Sequence, residues 1–114
     1  MSKAFKVIAT PTFKITLQKL CAFLNSKYGA EVATAARDLI KLKVAALSRN
    51  PYSGPVSERL SVLGFNDYRQ LLIDQHSLVY YRVDNEENRV VLVVVMDSRQ
   101  SVAQLLYETT IKLD

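Results

Sequence analysis

Apolar residues recur along the chain in three rhythms, and each predicts a different element. Phe13, Leu17, Leu20, Leu24 and Tyr28 are spaced by four, three, four and four positions. That is the stripe of one amphipathic helix. Thr10-Pro11 opens it with an N-cap hydroxyl and a proline at the first helical position. Gly29 suits a left-handed stop. A second helix is expected from about Glu31 to Arg49. Ala33, Ala36, Ile40, Val44 and Leu47 form one face, and Leu39, Leu42 and Ala46 a second, so it should be buried on more than one side. Asn50-Pro51 ends it, because a residue before proline is pushed out of the helical region.

The second rhythm is β-rich. Phe5 to Ala9 reads as a short first strand. Tyr68-Arg69-Gln70-Leu71-Leu72-Ile73 and Leu78-Val79-Tyr80-Tyr81-Arg82-Val83-Asp84 follow much later. An acidic, amide-rich turn, Asn85-Glu86-Glu87-Asn88, leads into the third rhythm, the unbroken run Val90 to Met96. Short polar turns between such segments predict an antiparallel meander. A run without polar alternation predicts a central strand covered on both faces.

Between the second helix and the meander, Leu60, Val62 and Leu63 suggest a short segment packed at the sheet edge, with turns at Gly64 and Asn66-Asp67. After Arg99, Ala103 to Glu108 suggests a short C-terminal helix running to about Leu113. The expected fold is α+β. An N-terminal strand and an antiparallel helical hairpin pack on a three- to four-stranded, mainly antiparallel sheet. The first strand has no sequential neighbour, so it must join the sheet across the hairpin. No linker or repeat divides the 114 residues, and a single domain, 1–114, is expected.

Charge is unevenly spread. Residues 1–50 carry nine Lys/Arg against Glu31 and Asp38, while the remainder carries six against nine acids. The basic half suggests an acidic partner or nucleic acid, unless it is simply a lysine-rich solvated helix surface. No apolar run approaches the roughly 20 residues of a membrane-spanning helix, and no signal-peptide core follows the N-terminus. One cysteine, Cys21, cannot form an internal disulfide. These features suit a cytoplasmic protein.

Candidate chemistry is sparse. One Cys and one His cannot supply a zinc set, and no metal or cofactor is expected. Cys21 falls in a helix and reads as a small hydrophobe, and His76 falls in a turn. Asp67, Asp74, Asp84 and Asp97 flank strands as turn acids do. The arginines Arg69, Arg82 and Arg99 are either edge residues paired with nearby acids, or a cluster on one concave surface gripping phosphate or carboxylate. Tyr68, Tyr80, Tyr81 and Tyr107 either stack on a target or fill the sheet.

These residues, in this order, resemble the RelE/ParE superfamily of type II toxin–antitoxin toxins. The resemblance rests on Ala45 to Gly54 with its Asn50-Pro51 stop, on Tyr68-Arg69-Gln70-Leu71, and on Leu78 to Asp84. It closes with Val90 to Met96, Asp97-Ser98-Arg99-Gln100 and Leu105-Leu106. Two activities are implied by the resemblance. RelE-like members are ribosome-dependent mRNA endonucleases with basic residues on the sheet and a tyrosine on the C-terminal helix. ParE-like members poison DNA gyrase and lack that set. Here Leu71 and Ser77 stand where the nuclease branch places basic residues, and Tyr107 lies about two residues beyond its tyrosine. The chain therefore looks ParE-like.

That likeness implies a growth-inhibiting, non-enzymatic toxin that binds DNA gyrase and is neutralised by a cognate antitoxin in a hetero-oligomer. Arg69, Arg82, Arg99 and Tyr107 are its candidate target contacts. Phe13, Leu17, Leu20 and Lys41 are the candidate antitoxin contacts. An mRNA endonuclease with a rearranged site and a non-toxic antitoxin-binding domain are the alternatives.

Overall fold

The computed structural model describes residues 4–75 and 77–97. The expected C-terminal helix, Arg99, Tyr107 and His76 lie outside them. In chain order the elements are β1 (Lys6–Ala9), α1 (Pro11–Tyr28), α2 (Ala30–Ala46), α3 (Glu58–Val62), β2 (Tyr68–Leu72), β3 (Ser77–Asp84) and β4 (Arg89–Asp97). The sheet order is β1-β4-β3-β2, with β1 parallel to β4 and the other neighbours antiparallel. The long apolar run thus occupies an inner strand, as its lack of polar alternation predicts.

Thr10 does two jobs at the start of α1. Its Oγ1 accepts from the Phe13 N–H at 3.1 Å and donates to the Leu92 carbonyl at 2.9 Å. The helix is capped and tied to β4 by one hydroxyl. Gly29 closes α1 and opens α2 at φ 99°, a conformation that only glycine adopts cheaply. The hairpin turn therefore needs no further residues.

Helix α2 stops at Ala46, and Leu47 to Arg49 continue as a turn, so the helix ends three residues before its pattern suggests. Its second apolar face is buried only in part, since Leu39 packs against the core while Leu42 is 69% exposed. The stripe on α1 also ends early, with Tyr28 exposed at the hairpin tip.

Two cores flank the sheet. On the hairpin side, Phe13, Leu20, Ile40, Val44 and Leu47 pack on Val79, Tyr81, Val90, Leu92 and Val95. On the opposite side, Leu60 from α3 packs with Leu78, Tyr80, Val94 and Met96. Helix α3 is capped by Ser57, whose Oγ accepts from the Leu60 N–H at 3.2 Å. It buries only Leu60; Val62, expected to pack on the sheet, points outward.

A β-bulge interrupts the β3–β4 ladder. Tyr80 pairs with Val94 and Tyr81 with Leu92, leaving Val93 unopposed. Beyond Leu92 the first strand no longer covers β4, because the chain has turned into α1. Thr16 fills that gap. Its buried hydroxyl accepts from the Val95 N–H at 3.1 Å and donates to the Thr12 carbonyl at 2.9 Å. A backbone donor that would otherwise be stranded in the core is thereby paired.

Candidate target-binding site

The segment between α2 and α3 is stitched to β2 and β3. The buried phenol of Tyr81 donates to the Pro51 carbonyl at 2.8 Å and accepts from the Gly54 N–H at 3.0 Å. The Gln70 N–H donates to the Pro55 carbonyl at 2.9 Å, and the Ser57 N–H to the Tyr68 carbonyl at 2.8 Å. Val56 forms a bridge with Arg69. Gly54 lies so close to β2 that a Cβ there would sit 2.3 Å from the Gln70 carbonyl oxygen. The site needs glycine for space, not for its dihedrals. Burial pushes the Tyr81 hydroxyl above its ordinary range, opposed by the Gly54 N–H and by the nearby Arg69 charge.

Arg69 belongs to this network. Its Nη1 donates to the Gly54 carbonyl at 2.7 Å, and its guanidinium lies over the Tyr52 ring, 4.9 Å from the centroid. Tyr52 in turn donates its hydroxyl to Asn85 Oδ1 in the β3–β4 turn. The turn itself is held by Asp84, whose carboxylate pairs with Arg89 at 2.8 Å and accepts from the Glu87 N–H at 3.2 Å. The Arg89 hydrogen bond holds the Asp84 carboxyl below the usual carboxylate range.

The two described arginines of the candidate set point in opposite directions. Arg69 is opposite Tyr81 in the ladder and so shares the hairpin side. Arg82 is opposite Tyr68, which packs against the second core. Arg82 makes no ion pair among the described residues and is half-buried. Tyr80 lies on its side, with its hydroxyl buried and without a hydrogen-bond partner among the described residues. Leu71 and Ser77 have structural roles. Leu71 packs against the hairpin-side core, and Ser77 is buried where its N–H meets Asp74 Oδ1 at 2.8 Å.

The candidate antitoxin contacts divide as well. Phe13 and Leu20 are core residues facing the sheet and offer no surface to a partner. Their spacing reports the chain's own packing. Leu17 is partly buried against the same core, and Lys41 is exposed on α2. The outward surface of the hairpin carries other groups instead. Phe23, Val32 and Leu42 are exposed there, and Lys27 lies 5.5 Å from the centroids of both Phe23 and Tyr28. A shallow hollow of about 290 Å³ opens between the helices, lined by Cys21, Ala22, Asn25, Ala30, Ala33, Thr34 and Arg37. Among the described residues, no group of three His, Cys, Asp or Glu could hold a metal ion, and no helix is long and apolar enough to cross a membrane.

Tyr52 has no counterpart in the sequence-based candidates. Its sequence signals are its place in the Ala45 to Gly54 stretch and an aromatic ring among the prolines and glycine of Asn50 to Pro55.

Residues 7–102 match the family described as the ParE toxin of the type II toxin–antitoxin system parDE. The chain belongs to this family, and it is the toxin component of such a system. Solved structures share the fold. One is the chromosomal ParDE system of P. aeruginosa, at 18% identity and TM-score 0.69, covering 84% of this chain and 98% of that one. Another is the RelBE2 toxin–antitoxin complex of Mycobacterium tuberculosis, at 20% identity and TM-score 0.57, covering 82% and 98%. A third is the conserved hypothetical protein HP0892 of Helicobacter pylori, at 16% identity and TM-score 0.50, covering 89% and 98%. No curated protein matches the sequence significantly.

Proposed function

We propose that this toxin acts by binding DNA gyrase, without catalysing a reaction of its own, and that a cognate antitoxin silences it. The observation that carries the binding mode is the divergence of Arg69 and Arg82 onto opposite sides of the sheet. Cleavage of RNA through its 2′-hydroxyl needs a base, an acid and a charge stabiliser converging on one phosphate. Two arginines separated by a packed sheet cannot share that phosphate. Arg69 is also committed to the Gly54 carbonyl and the Tyr52 ring. Leu71 and Ser77 occupy the positions where the nuclease branch places charge, and both are used in packing.

The antitoxin reading rests on charge and on exposed apolar surface. Lys14, Lys19, Lys27, Arg37 and Lys41 decorate the exposed hairpin, with Phe23, Val32 and Leu42 among them. An acidic segment that folds on contact suits such a surface. Its rim would be salt-sensitive and its centre apolar. The RelBE2 toxin–antitoxin complex and the ParDE toxin–antitoxin system among the similar structures are in keeping with an antitoxin partner.

Two assays on the purified chain test the target. The proposal expects inhibition of gyrase-driven supercoiling and no cleavage of messenger RNA on programmed ribosomes. Cleavage at the ribosomal A site, with gyrase unaffected, would transfer the chain to the nuclease alternative. Co-expression with the product of the adjacent gene, expected to restore growth, tests the antitoxin.

A further inference from the structure

We infer that Tyr52 is an anchor residue of the target-binding surface, presenting its ring to a protein partner. The inference rests on reading this chain as a toxin that works by binding. Three observations carry it. The ring is fixed from two directions, by the Arg69 guanidinium 4.9 Å away over its face and by Asn85 at its hydroxyl. Yet Tyr52 remains 49% exposed. The loop beneath it is over-determined, with Pro51, Gly54 and Pro55 each bonded to β2 or β3.

A tyrosine needed only for packing would bury its ring. This one is held rigid in solvent at the outer edge of the sheet. Rigid loops on a stable scaffold are where binding residues concentrate. Tyrosine and arginine are also enriched among the few residues that dominate protein–protein binding energy. Fixing the ring before binding removes the ordering cost that a mobile side chain would carry into the complex. Val56, 48% exposed in the same loop, bridges to Arg69, the residue on which the ring lies.

The chemistry of the surroundings favours protein over nucleic acid. An exposed tyrosine over an arginine resembles a platform for base stacking. However, Asn85, which holds the hydroxyl end of the ring, belongs to a turn that carries the two exposed acids Glu86 and Glu87. A phosphate backbone running past the ring and along that turn would be repelled by these acids. A neutral or mixed protein surface would not.

The test compares wild type with Tyr52→Ala, Tyr52→Phe and Asn85→Ala. The readouts are growth inhibition on induction, affinity for purified DNA gyrase, thermal melting, and binding to a single-stranded RNA oligonucleotide. Tyr52→Ala is expected to weaken gyrase binding by about tenfold or more and to abolish growth inhibition, with a cooperative melt close to wild type. Tyr52→Phe, which keeps the ring on Arg69, should stay within about fivefold of wild type, and Asn85→Ala should fall between the two. Full toxicity in Tyr52→Ala would overturn the inference, as would a loss that tracks a lowered melting temperature. Equal defects in the Phe and Ala variants would also overturn it, because the hydroxyl and not the ring would then be the contact. Wild-type RNA binding that Tyr52→Ala loses would replace the protein partner with nucleic acid. If wild type inhibits growth without binding gyrase while Tyr52→Ala does not inhibit, the gyrase reading fails and the anchor stands. A wild type that neither inhibits growth nor binds gyrase would end both.

Discussion

Replacing Tyr81 with Phe removes one oxygen and two buried hydrogen bonds. The Gly54 N–H loses its acceptor at 3.0 Å and the Pro51 carbonyl loses its donor at 2.8 Å. Each bond contributes about 0.5–1.5 kcal/mol net, and a buried polar group left unpaired costs about 1–3 kcal/mol. The loop can relax towards water, which recovers part of this, so a total of about 2–4 kcal/mol is expected. For a chain of this length that lowers Tm by roughly 8–16 °C. Thermal melting, with a urea titration to check that the m-value is unchanged, measures it.

A pH series adds a second, independent reading of Tyr81. Its folded-state pKa is raised above the ordinary 10.0 by burial. Below pH 10 the group is protonated in both states and contributes its full stability. Above that, the unfolded chain releases the proton while the native state keeps it, so stability falls as pH rises. Tyr81→Phe lacks this loss, and the gap between the two proteins should narrow above pH 10. A melting-temperature difference under about 3 °C at neutral pH would refute the claim that this phenol holds the loop.

Three further outcomes are expected. Gly54→Ala must push β2 away from a Cβ lying 2.3 Å from the Gln70 carbonyl oxygen. It should cost about 1–3 kcal/mol and speed amide exchange at Gln70, which would keep its protection if the loop could shift instead. Thr16→Val keeps the shape but strands the Val95 N–H, so a loss of about 1–3 kcal/mol with faster exchange at Val95 is expected by hydrogen-exchange NMR. Arg99→Ala should change stability by about 0.5 kcal/mol or less while abolishing growth inhibition, checked by melting and by an induction assay.

The fold was legible where local chemistry decides it. Thr10-Pro11 and Gly29 bound α1 as the sequence suggests, and the unbroken run Val90 to Met96 does lie inside the sheet. Sequence periodicity failed where burial depends on a distant neighbour. Leu42 continues an apolar face of α2, but nothing among the described residues covers it. Nor does spacing along the chain reveal which side of a sheet an arginine occupies. Side chains alternate along a strand, so a one-residue change of register inverts every position. The register Arg69↔Tyr81 and Tyr68↔Arg82 separates two arginines that the sequence invites one to group. Phe13 and Leu20 show the converse. A conspicuous apolar stripe suggests a partner's docking face, whereas the toxin's own sheet takes Phe13 and Leu20. Tyr52 is not conspicuous in the sequence, because its contacts with Arg69 and Asn85 are distant along the chain and form only on folding.

The most direct measurement of the central claim is gyrase-mediated DNA cleavage. Purified toxin would be titrated against gyrase and supercoiled plasmid with ATP, the reaction stopped with detergent and protease, and linear DNA quantified. The account predicts dose-dependent linear DNA that requires gyrase and disappears when gyrase is omitted. No linear DNA at saturating toxin, together with undiminished supercoiling, would contradict it.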